Sequence, residues 1–178
     1  MADPAATAEQ LNDRTLTVYD ALGVPDGLTL DLRHSLGVQA NIYDCHGRGL
    51  SHVLDSLQDT TSHEPRMAAI GVGFTVTGLT HAQAAEAMER ARRTLAGRGW
   101  TVGFRDLSGD IQLKLEPPGG GAGGVSESVF VDFYDPSGFF TIEARAECAR
   151  YLDDTPVTSE GKPEHLAPLA VPAQVRRE

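Results

Sequence analysis

Residues 41–50 read NIYDCHGRGL and set a thiol, Cys45, beside an imidazole, His46. Around this pair His34, Asp44, His52, Asp55 and His63 crowd into residues 34–63, which hold four of the chain's six histidines. Three chemistries are open to such a set: a cysteine nucleophile with a histidine base, a metal site, or a disulfide to Cys148, the other cysteine present. A nucleophile needs its base held beside it in space, and neighbours in an extended segment point to opposite faces. The histidine and aspartate spacings match neither the paired CxxC nor the HExxH pattern of zinc sites, so loop histidines in water account for them. A disulfide across this span would restrict the unfolded chain by about 4 to 5 kcal/mol and would persist only in an oxidising compartment.

The remaining chemistry-bearing stretches are weaker. GGGAGG at 119–124 has the glycines of a phosphate loop without the Lys-Ser/Thr pair or the following helix, and reads as a connection. Asp132, Tyr134 and Glu143 are polar positions on late strands that alternation assigns to a solvent face. Trp100 follows a helix directly and reads as a core residue. No cofactor and no metal are expected.

Charge narrows the partners. The 178 residues carry a formal net charge of −10, which disfavours nucleic acid, whose affinity comes from clustered Lys and Arg. No apolar run reaches the roughly 18 residues that a bilayer crossing needs. Residues 1–65 hold ten acidic side chains against Arg14, Arg33 and Arg48, whereas residues 80–115 hold six basic against four acidic. An acidic front of this kind could steer a cationic partner.

The elements that must position these residues are legible to different degrees. Residues 5–22 space Ala8, Leu11, Thr15, Val18 and Leu22 by threes and fours, a helix stopped by Gly23 and Pro25. GVQANIYDC reads as a strand and LSHVLDSLQD as a short helix. MAAIGVGFTVTG sets Ile70, Val72, Phe74 and Val76 on one face of a strand. Thr80 and Gln83 then form a capping box for a helix over 81–97 with an Ala84, Met88, Ala91, Leu95 stripe. WTVGFRDL and DIQLKLEP form a hairpin through Ser108-Gly109, and SVFVDFYD turns at Asp135-Pro136-Ser137-Gly138 into FFTIEARAEC. In that last strand Phe140, Ile142, Ala144, Ala146 and Cys148 share one face, a poor place for an exposed thiolate. One domain over 5–154 is expected, followed by a mobile 155–178 tail with prolines and no periodicity.

The order of N-terminal helix, Cys segment, strand, helix ending in GRGW, hairpin strands and a final strand ending in Cys resembles small exported proteins and lipoproteins of actinobacteria, most closely in ARRTLAGRGWTV. The resemblance covers residues 8–150 and implies a Cys45–Cys148 disulfide in an α+β domain outside the cytoplasm. The chain departs from that pattern in its opening, MADPAATAEQLNDRT, which has neither a basic start nor an apolar stretch, so a cytoplasmic location is the alternative.

The fold expected is α+β, an antiparallel sheet of about five strands with the 81–97 helix packed on one face, helped by the N-terminal helix. The function expected is a non-catalytic exported or cell-envelope module that binds a protein or envelope component. Its contact would be the acidic segment around Asp20, Asp26 and Asp31 or an exposed sheet edge. A small hydrolase or metal-binding protein using residues 34–63 is the alternative.

Overall fold

The computed structural model describes residues 1–43, 45, 66–107, 110–119 and 125–176. Expectations for the 50–59 helix, for Asp44, His46, His52, Asp55 and His63, for Ser108-Gly109 and for 120–124 lie outside the described residues.

Helix α1 spans Pro4–Leu22, with the Asp3 carboxylate accepting from the Ala5 amide at its start. Its stripe of Ala8, Leu11, Thr15, Val18 and Leu22 is completely buried. Gly23 ends it at φ 56°, a left-handed conformation that glycine adopts without cost, and the Arg90 guanidinium donates to the Leu22 and Gly23 carbonyls just there. A Cβ on Gly23 would come within 2.9 Å of that guanidinium, so both space and backbone call for glycine.

Strands β1 (Thr29–Leu30) and β2 (Gly37–Asn41) pair with the two halves of β3 (Met67–Thr77). Helix α2 follows over His81–Ala96, opened by the reciprocal Thr80–Gln83 capping box. Then come β4 (Thr101–Leu107), β5 (Asp110–Glu116), β6 (Glu127–Tyr134) and β7 (Phe139–Arg150). All pairings are antiparallel, in the order β1/β2, β3, β7, β6, β5, β4. Four antiparallel steps separate β3 from β4, which therefore run parallel, and α2 is the crossover that carries the chain between them.

The fold is α+β as expected, but the sheet has seven strands instead of about five. β2 falls within GVQANIYDC, which reads as a strand, whereas β1, at two residues, is too short to show alternation; together they form one interrupted edge partner of β3. The helices are also shared differently. α1 lies over β3 and β7 at the centre of the sheet, while α2 covers β4, β5 and β6 and packs on α1. Between helices and sheet sits one apolar core, with Tyr19 of α1 against Phe74 of β3 at 5.9 Å. Trp100 is buried in it, as expected, with the Arg14 guanidinium 5.8 Å from its ring.

Residues 155–176 hold no helix or long strand, yet they are attached to the domain. The buried Asn12 side chain donates to the Pro168 carbonyl at 2.9 Å and accepts from the Ala170 amide at 2.8 Å. Val175 is buried, and Arg176 exchanges backbone hydrogen bonds with Leu28 and Leu30, covering the outer side of β1. Near the start of this segment Arg66, at φ 59°, donates to the carbonyls of Leu152, Asp153 and Thr155. The expectation of a mobile tail rested on its prolines and its lack of periodicity, and neither registers these contacts.

Candidate functional site

The two cysteines are joined. Cys45 and Cys148 form a disulfide with 5.5 Å between their Cα atoms, closing a separation of 103 residues. Cys45 is buried just beyond β2, and its amide donates to the Ile42 carbonyl. The bond therefore ties the edge of the sheet across β3 to β7. One detail of the alternation is corrected. The β3–β7 register slips between Ala68 and Ile70, so that Ala149 lies opposite the buried Ala68 while Ala146 lies opposite Ile70. This bulge breaks the parity of β7 after Ala146 and takes Cys148 off the face shared by Phe140, Ile142, Ala144 and Ala146.

Of the histidine and aspartate cluster His34 alone falls among the described residues, where it meets Asp31. The Asp31 carboxylate accepts from the amides of Arg33 and His34 and lies 2.9 Å from His34 Nδ1. These bonds, the His34 side chain first, hold its carboxyl below the usual carboxylate range. The His34 ring stacks on Phe139 at 4.3 Å. Among the described residues no group of three or more His, Cys, Asp and Glu could hold a metal ion.

The three aspartates named as a contact do not act alike. Asp20, in the last turn of α1, and Asp26 are exposed, and both raise the pKa of Tyr19 beyond what its burial does. Asp31 is committed to organising its own turn.

The more developed surface is the sheet face that no helix covers. Its residues follow from alternation and fall into cross-strand rows. One row runs Gly37, Gly73, Glu143, Phe130, Lys114, Gly103, and the next runs Gln39, Gly71, Arg145, Ser128. A third holds Thr75, Thr141, Asp132, Gln112 and Arg105, in which the two threonine hydroxyls meet at 2.9 Å and Gln112 donates to Asp132 at 2.7 Å. Burial raises the Asp132 carboxyl above the ordinary range, and the nearby Glu143 charge adds to the effect.

Gly71 and Gly73 place no side chains on this face, so the floor over β3 is low. A Cβ at Gly73 would sit 3.0 Å from the Ile142 carbonyl oxygen, so the strands approach closely there. Beside this floor lies a groove of about 450 Å³, with Gln39, Asn41, Lys114, Ser128, Phe130 and Arg145 among its walls. Arg145 lies over the Phe130 ring at 5.7 Å and is ion-paired to Glu143. Such a lining offers amides, hydroxyls, two cations and an aromatic surface in one place, which suits recognition of a polar chain.

Reading the sequence residue by residue assigned Asp132, Tyr134 and Glu143 to a solvent face, and it missed two features. The groove depends on Gly71 meeting Arg145 and on Glu143 meeting Phe130 across strands, a register that no local pattern encodes. Glu127 is the other. It has the parity of Val129, Val131 and Phe133, is buried, and meets Arg14 at 3.3 Å and Gln10 at 3.4 Å. An acid at an apolar parity was the available signal.

Among the described residues, fold and surface define an antiparallel α+β domain of two helices and seven strands, with one covered face, one grooved polar face and a single disulfide. Compared with protein-family models, curated proteins and solved structures, the chain matches none.

Proposed function

We propose that this protein is a non-catalytic exported or cell-envelope module that binds a partner polypeptide through the open face of its sheet. The groove beside Gly71 and Gly73 carries the reading, because its hydrogen-bonding walls and half-buried aromatic form a concave polar surface on rigid strands. The disulfide supports an oxidising compartment outside the cytoplasm, in line with the resemblance to exported single-disulfide proteins of actinobacteria. The acidic segment is the weaker contact, since Asp31 already spends its carboxylate on Arg33 and His34. The alternative, a small hydrolase or metal-binding protein using residues 34–63, finds in His34 an imidazole already held by Asp31 and Phe139.

A photo-crosslinking side chain placed at Ser128 and, separately, at Asp20 tests the reading in secreted and envelope fractions. One protein captured from position 128, lost when Gly71→Trp fills the floor and not captured from position 20, is the expected result. Capture from position 20 alone, or turnover of an ester, peptide or glycan by the purified protein, would overturn it.

A further inference from the structure

β4 is the last strand of the sheet, and among the described residues no strand lies on its outer side. Leu107 pairs with Asp110 across a two-residue connection, so this closing pair is hydrogen-bonded, as is every second pair from it: Arg105 with Gln112, Gly103 with Lys114. The amides and carbonyls of Val102, Phe104 and Asp106 therefore point away from β5. On the helix side Val102 stands opposite Leu115 and Phe104 opposite Leu113, both of them core residues, yet Phe104 is 44 % exposed. Arg105 and Asp106 charge one end of this edge, but it has no proline, and the exposed Phe104 at its middle offers an apolar centre for strand pairing.

We propose that this edge pairs with the same edge of a second copy, giving a symmetric dimer with one continuous sheet. The midpoint of Thr101–Leu107 is Phe104, so full antiparallel overlap about a two-fold axis normal to the sheet sets Phe104 opposite itself. In that register Val102 faces Asp106 of the second copy and Gly103 faces Arg105 of the second copy, and no like charges stand opposite each other. Shifting the axis by one residue to Arg105, or by two to Asp106, sets two arginines or two aspartates face to face, which disfavours those registers. Full overlap also engages every outward-pointing group of β4, about six hydrogen bonds in all. The glycine leaves room for the arginine to lie across the seam. Because the axis is normal to the sheet, both open faces look the same way, and two grooves face one partner surface. The inference itself does not depend on what the grooves bind.

Sedimentation over a wide protein concentration range tests this on the full oxidised chain. A reversible dimer is expected, weakened about tenfold or more by Phe104→Lys, which sets two lysines opposite each other at the axis. Both native cysteines are bonded, so Phe104→Cys introduces one free thiol. A short bismaleimide should join two copies through it, and should not join copies of Ser137→Cys, whose thiol lies in the β6–β7 turn. The crosslink is read on folded protein even if Phe104→Lys proves unstable. A monomer at every concentration, a dimer indifferent to Phe104→Lys, or crosslinking from position 137 and not from 104 would each overturn the proposal.

Discussion

The helix-covered face and the open face of this sheet are built by the same strands, one residue apart, and they treat polar groups in opposite ways. On the covered side Val72, Phe74, Leu113, Val131 and Ile142 are fully buried, and a charge such as Glu127 is kept only with Arg14 and Gln10 as partners. On the open side Asp132 is partly desolvated beside Glu143, and two glycines of β3 let neighbouring groups, Leu36 at Gly71 and Glu143 at Gly73, approach the backbone. The covered face holds the fold, and the open face carries features that stability does not require. The same contrast divides the edges. β1 is covered by the chain's own residues 174–176, whereas β4 ends the sheet.

The comparison breaks most directly at two phenylalanines. Phe74→Ala on the covered face should cost about 3–5 kcal/mol in urea unfolding, whereas Phe130→Ala on the open face should cost less than about 1 kcal/mol. Equal losses would make the open face a structural surface. Next in size is the disulfide: replacing Cys45 and Cys148 with alanine should lower stability by about 3 kcal/mol, with the groove's neighbours Gln39 and Asn41 exchanging amide hydrogens faster than β5 and β6. Uniform exchange would show that the bond does not hold the β2 edge. Removing residues 155–178 should cost about 2 kcal/mol, since Asn12 loses both partners and the β1 edge is bared. An unchanged midpoint would show the segment to be as mobile as its composition suggests.

The smallest effects separate two carboxylates by sign. Asp31 has a depressed pKa, so its contribution is present above its unfolded value, about 4, and is lost as pH falls through the lower folded value. Asp31→Asn should therefore lower the melting temperature at neutral pH and hardly change it once the carboxyl is protonated in both states. Asp132 has a raised pKa, so the native state binds the proton more tightly and stability falls as pH rises from about 4 through the folded value. Asp132→Asn should raise the melting temperature at neutral pH and lose that advantage in acid. Melting curves of both variants across acid and neutral pH check the pair, and two shifts of the same sign would contradict the assignment.

How much was legible in advance follows from the range of the interactions. The α1 and α2 stripes, the Thr80–Gln83 box and the alternation of β3 and of β7 are local patterns, and each apolar position named for the stripes, for β3 and for β7 as far as Ala146 is buried as its spacing requires. β1 was not countable because a strand of two residues takes its place from pairing with β3, not from periodicity, whereas β2 lies inside GVQANIYDC, which reads as a strand. The bulge before Cys148 was invisible because parity holds only until a register slips.

By itself the sequence determined the α+β class, the helices over 5–22 and 81–97 with the Thr80–Gln83 box, the apolar faces of β3 and of β7 as far as Ala146, and the restriction of thiol chemistry to two cysteines. These are consequences of periods of 3.6 and 2, which act over neighbouring residues. Tertiary structure alone decided the strand order, the pairing of an early edge with β7 through the disulfide, the docking of residues 168–176 on Asn12 and β1, and the groove. Each depends on contacts between residues far apart in the chain, where register and packing, not local preference, select the partner.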